Sequence, residues 1–179
     1  MIKLIPHSIL IPLIFLVFAT FMQACISIPI KKPDQWPYAS NAIHFEICAN
    51  KNLNIYEGLP HAIPVCFYQL QSFDFFKELS LFPEGLNRLL ECRSFHPSVV
   101  RTYRLTIEPD ERKKIVMDRE KDVKYVALAA SYFIKENKKI TRLYEIPVVA
   151  ERPALIKSTE IVKPGPLKIH IEFGPEQIE

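Results

Sequence analysis

Residues 167–173 read LKIHIEF, in which Leu, Ile, Ile and Phe alternate with Lys, His and Glu. A period of two puts the apolar side chains on one face of an extended strand, whereas a helical face recurs every three or four residues. The same alternation returns at 43–48, where Ile43, Phe45 and Ile47 interleave with His44, Glu46 and Cys48, and at 101–107, which contains TYRLTI. Strand character is also present at 63–70 (IPVCFYQL), 114–118, 123–133 and 141–149. Pro64 cannot donate to a ladder, so it belongs near the beginning of its strand or on an edge. Seven strands at short intervals predict an all-β fold, a two-sheet β-sandwich.

One stretch breaks the pattern. Phe73, Phe76, Leu79, Leu86, Leu89 and Leu90 follow helical spacing, with Ser72 placed to cap a first short helix and Pro83 to open a second. The sandwich therefore carries a small helical insert at about 72–93. Residues 50–61, NKNLNIYEGLPH, are polar and rich in Asn, and Gly58 and Pro60 mark turns, so they read as an exposed loop. Glu108-Pro109-Asp110-Glu111 and Pro164-Gly165-Pro166 read as turns. Residues 150–166 are the least defined, with 154–156 offering an eighth strand.

The start of the chain has a different logic. Lys3 precedes an uncharged run, ILIPLIFLVFATFM at 9–22. This is the charge and hydrophobicity profile of an export signal. It is shorter than the roughly 20 residues of a spanning helix and is interrupted by Pro12. Ala24 then sits directly before Cys25, and Met22-Gln23-Ala24-Cys25 resembles the bacterial lipobox, except that Gln23 stands where a small or aliphatic residue is usual. The expectation is a signal peptide at 1–24 with Cys25 as the lipidation site. Ordinary signal cleavage, or an uncleaved anchor with Cys25 as a free thiol, are the alternatives. Ile26 rather than Asp after the cysteine points, by resemblance to Gram-negative lipoproteins, to the outer membrane.

Removing 24 of 179 residues leaves 155, enough for one domain. Residues 25–40 carry prolines and no periodicity and read as a lipidated tether, with Trp36 placed to staple it to the body. The sandwich spans 41–174, and 175–179 form a tail. The formal charge of +3 gives no argument for nucleic acid. Cys48, Cys66 and Cys92 are an odd number for an oxidising compartment, so at most one disulfide forms.

Chemistry is hard to find. His44, His61, His96 and His170 have no metal-ligand spacing, no G-x-S-x-G occurs, and Cys66 sits inside an apolar strand with no linked base. Glu108, Asp110 and Glu111 read as a solvated turn. The expectation is a protein that is not an enzyme and uses no cofactor or metal.

The order of parts resembles TssJ, the outer-membrane lipoprotein family of type VI secretion systems, across roughly 41–173. The carriers are Asn50, Asn52 and Asn54, then Gly58-Leu59-Pro60, then Pro64 to Leu70 ending Tyr68-Gln69-Leu70. They continue through the phenylalanine-led 72–79, the proline-acidic turn at 108–111 and the small-residue strand at 125–133. In that strand Ala127, Ala129 and Ala130 are read as letting the facing sheet approach, with Val126 and Leu128 filling the other side. The usual Trp-Arg pair is absent, since Arg142 follows Thr141. The resemblance implies a transthyretin-like sandwich and a scaffold role. The partner it implies is the periplasmic C-terminal domain of the inner-membrane protein TssM, with outer-membrane lipid at the acylated cysteine. It implicates the loop after the first strand, here Leu53, Asn54, Ile55, Tyr56, Glu57 and Leu59. The bland reading of those residues is a loop whose apolar side chains pack inward. A periplasmic lipoprotein holding a small ligand is the competing function, and it requires an apolar pocket with a few inward polar groups.

Overall fold

A computed structural model describes residues 33–133, 138–151 and 161–179. Strand β1 (Ala39–Ala49) is the centre of a three-stranded sheet, antiparallel to β4 (Arg112–Arg119) and parallel to β9 (Leu167–Phe173). The second sheet is antiparallel and runs β3 (Val99–Ile107), β2 (Ile63–Leu70), β5 (Tyr125–Ala130), β6 (Thr141–Glu145). A short pair, β7 (Val148–Glu151) and β8 (Ile161–Pro164), stands apart from both. The fold is thus the expected β-sandwich.

The alternation seen in the sequence is what makes the core. Ile43, Phe45 and Ile47 are buried with Val65, Phe67, Val126 and Leu128 from the other sheet. Phe45 meets Phe67 edge to face at 5.1 Å. Strand β2 is apolar throughout because both its faces are covered. Ile63, Val65 and Phe67 line the sandwich core, and Cys66, Tyr68 and Leu70 lie in a second cluster with the helical insert. Gln69 is the polar exception and is fully satisfied: its Nε2 donates to Asp118 O at 2.8 Å and its Oε1 accepts from Glu120 N at 2.9 Å. One side-chain amide thus joins the two sheets. Ala127 and Ala129 share the cluster under the helices, while Ala130 packs in the sandwich core with Val126 and Leu128. Ala127 and Ala129 therefore make room for helices, which corrects the expectation for those two, whereas Ala130 does lie against the facing sheet.

The insert comprises α1 (Asp74–Leu79) and α2 (Pro83–Leu90). Pro83 opens α2 as expected, but the residue flanking α1 is Phe73 rather than Ser72. Ser72 Oγ instead pairs with Asp74 Oδ2 at 2.6 Å, one residue further in. Gly85 is required where α2 meets the end of α1, since a Cβ there would lie 2.2 Å from Leu79 O. A disulfide between Cys66 and Cys92 fastens the end of the insert to β2. The Tyr68 hydroxyl donates to Leu89 O, and burial raises the Tyr68 phenol above its usual range. Among the described residues Cys48 is the free thiol, half-buried on the outer face of the first sheet.

Three boundaries differ from the sequence reading. The stretch 141–149 is two strands, because Ile146 turns inward and its N–H donates to Lys124 O at 2.8 Å. Segment 154–156 lies outside the described residues, and the added strand is β8. Residues 33–38 are tied to the body rather than free: Trp36 is 9% exposed, its carbonyl accepts from Asp122 N at 2.8 Å, and Arg119 Nη2 donates to Pro37 O at 2.8 Å. The Arg119 guanidinium carbon stands 5.9 Å from the Trp36 ring.

Beside this junction Asp118 accepts from the Tyr38 hydroxyl at 2.5 Å and from Asn41 N at 2.8 Å. These donors hold its carboxyl below the ordinary 3.8. A lowered folded pKa stabilises fully above the unfolded value and is lost as pH falls through the folded one. Stability is therefore expected to decline below about pH 4, and less steeply in Asp118→Asn. Urea melts between pH 3 and 6 (roughly the carboxylate range) measure this, and identical slopes for the two proteins would exclude it.

Candidate docking surface

The loop after β1 is an ordered structure. Leu53 is wholly buried in the sandwich core. Asn54 is 3% exposed; its Oδ1 accepts from Phe133 N at 2.8 Å and its Nδ2 donates to Ala62 O at 3.5 Å. Both residues are internal supports, so the expectation that they offer surface to a partner does not hold for them. Ile55 is half-buried, with its N–H donating to Pro175 O at 2.9 Å.

The remaining three candidates do face solvent. Tyr56 and Leu59 exchange backbone hydrogen bonds at 2.9 and 3.0 Å across a two-residue turn. Glu57 and Gly58 both have positive φ, 51° and 78°, as a type I′ turn requires. Glycine meets that demand without steric cost, and Glu57 tolerates it at the tip. Tyr56 is 45% exposed and Leu59 64%.

Phe133, absent from the sequence-derived set, completes the surface. It is 52% exposed and stacks on Tyr56 with ring centroids 4.7 Å apart and planes inclined by 22°. His61 closes the group edge-on, 5.0 Å from Phe133 and 6.4 Å from Tyr56. The signal available in the sequence was the phase of the strand end: Tyr132 points into the core, so its neighbour points out.

The C-terminal segment braces this end of the sandwich. Ile178 is fully buried, and its N–H donates to Lys139 O at 2.9 Å. The Tyr132 hydroxyl reaches Gln177 O at 2.8 Å. Residues 175–179, expected as a tail, are thus packed against the body.

Position matters as much as exposure. β1 begins at Ala39, beside the buried Trp36 and the Tyr38–Asp118 hydrogen bond, and ends at Ala49, which leads into the loop. The ten steps along this eleven-residue strand, at about 3.3 Å each, separate its two ends by about 33 Å. The chain enters the described body at one pole, and the aromatic group stands at the other.

Little else in the described residues suggests chemistry. The outer face of the first sheet has a shallow depression of about 510 Å³ with His44, Glu46, Lys114, Val116, Lys168 and His170 around it. Glu46 and Lys114 are paired there at 2.7 Å, and His170 lies 3.4 Å from Glu172. The lysine holds the Glu46 carboxyl below its usual range. These are a Glu–Lys ion pair and a polar His–Glu contact on a solvated face, with no nucleophile beside a base. Among the described residues no three His, Cys, Asp or Glu side chains converge as a metal site.

Comparison with known proteins places these features in context. A family model described as "T6SS-SciN: Type VI secretion lipoprotein, VasD, EvfM, TssJ, VC_A0113" matches residues 41–171. The fold is similar to the T6SS lipoprotein TssJ1 from Pseudomonas aeruginosa, with a TM-score of 0.58 at 14% identity, over 80% of this chain and 94% of that one. It is similar to Serratia marcescens Lip, a membrane-bound component of the type VI secretion system, with a TM-score of 0.55 at 18% identity, over 76% and 94% of the two chains. A chain in the structure of the T6SS protein TssM C-terminal domain from EAEC matches with a TM-score of 0.55 at 15% identity, over 76% and 94%. No curated protein sequence matches.

Proposed function

The chain belongs to the type VI secretion lipoprotein family that includes TssJ, and from this we propose that it is a non-enzymatic assembly lipoprotein of the outer membrane. In this reading Cys25 carries the acyl chains, and the domain faces the periplasm. The loop after β1 binds the periplasmic domain of a TssM-like inner-membrane protein. One observation supports it above the rest: Tyr56, Glu57 and Leu59 are displayed on a rigid hairpin at the pole opposite the one the chain enters from. Seven residues lie between Cys25 and Pro33, a reach of at most about 29 Å however it is arranged. A lipid anchor would hold the entry pole near the membrane and leave the hairpin reaching away from it, where a partner rooted in the other membrane arrives.

Tyrosine is among the residues that most often dominate an interface, and the exposed Leu59 widens the apolar contact beside it. The test is co-purification from fractionated envelopes of cells expressing the full chain with the partner. Wild type is expected in the outer-membrane fraction together with the TssM-like domain, and Cys25→Ser in the soluble periplasmic fraction. The pair Tyr56→Asp and Leu59→Asp is expected to keep the location and lose the partner by roughly 100-fold, which corresponds to a combined loss of about 2.7 kcal/mol. A folded wild type that captures no partner would refute the binding role, and Cys25→Ser retained in the membrane would refute the anchor.

A further inference from the structure

Resting on the docking role above, we infer that Phe133 is a direct partner contact and that the docking surface is built from two distant chain segments rather than from the first loop alone. The Phe133 ring is half exposed and stacked on the exposed Tyr56, so the two present one continuous apolar face. Its backbone is fixed from below, because Phe133 N donates to Asn54 Oδ1 at 2.8 Å and the preceding Tyr132 is buried with its hydroxyl on Gln177 O. Tyr56 is fixed in turn by the tight hairpin and by Ile55 N on Pro175 O. Anchors held this way lose little side-chain freedom on binding, which favours affinity.

The chemistry of the surface defines its complement. The Tyr56–Phe133 stack and Leu59 call for an apolar patch, and Glu57 at the hairpin tip calls for a basic side chain at the edge of that patch. The second segment also explains why Asn54 is internal: its carboxamide is the physical link that holds Phe133 against the loop.

The test uses the full chain in detergent and the periplasmic domain of the TssM-like partner. Phe133→Ala is expected to weaken capture at least about tenfold, with an unchanged thermal midpoint, while Phe133→Tyr stays within about twofold of wild type. Contact is separated from mere positioning by Phe133→Cys in a Cys48→Ser background, where partner binding should slow maleimide labelling at the substituted position about tenfold or more. Weakened capture with unprotected labelling would mean that Phe133 acts only through Tyr56, and the inference would fall. Wild-type affinity in Phe133→Ala, with Tyr56→Asp still inactive, would also overturn it and leave the docking role standing. Absence of any wild-type capture would remove both.

Discussion

Leu53→Asp is expected to abolish cooperative folding, although Leu53 lies six residues from a half-exposed leucine in the same loop. Its side chain is wholly buried in the sandwich core. Truncating such a leucine to alanine costs about 2–5 kcal/mol, and an unpaired buried carboxylate adds several more. The sum exceeds about 5 kcal/mol, comparable with the whole stability of a domain this size. Leu59→Asp, on the exposed hairpin, should stay within about 0.5 kcal/mol of wild type. Circular-dichroism melts distinguish the two: a broad or absent transition for Leu53→Asp, and a wild-type curve for Leu59→Asp. A wild-type melt for Leu53→Asp would take that residue out of the core. The contrast also has a practical side, because a loss of partner binding in a Leu53 variant reports unfolding and says nothing about the interface.

Removing the Cys66–Cys92 disulfide should have the second-largest effect. It closes a loop with a sequence separation of 26, for which chain entropy gives about 3.5 kcal/mol. For a domain of this length that corresponds to a thermal midpoint lower by about 10 °C. The insert should loosen first, since the bond joins its end to β2 while Leu89 and Phe76 hold the rest by packing. Cys66→Ala with Cys92→Ala, compared with Cys48→Ser, provides the measurement. Cys48 is free, so its substitution should leave the midpoint nearly unchanged. A double variant that melts within about 1 kcal/mol of wild type would mean that helix packing alone secures the insert.

The strands were legible because their signal is local. Residues 43–48, 101–107 and 167–173 alternate with period two, and each forms the strand that this pattern demands. What the sequence hid depends on contacts between distant segments. Nothing near residue 53 distinguishes Leu53 from Leu59; the first is buried in the sandwich core and the second is exposed, and only the loop geometry decides it. The pairing of Cys66 with Cys92 follows from α2 lying across β2. Phe133 was read as the end of a strand, and its role emerges only when Tyr56 is brought alongside. Strand β8 carries no sequence signal because IVKP at Ile161–Pro164 is short and lacks a repeating pattern, and its partner β7 follows β6 after only two residues. Ile178 gave no periodic signal either, yet it fills the core from the end of the chain.

β1 joins the two poles and is hydrogen-bonded along both edges, to β4 on one side and β9 on the other. In a protein held by lipid at one end and by a partner at the other, tension would enter the domain at the start of this strand and leave it near the finish. Such a pull runs parallel to the strand and across its hydrogen bonds, so both ladders resist together in shear instead of parting one bond at a time. A central strand placed this way acts as a tie-rod, and its neighbours share the load.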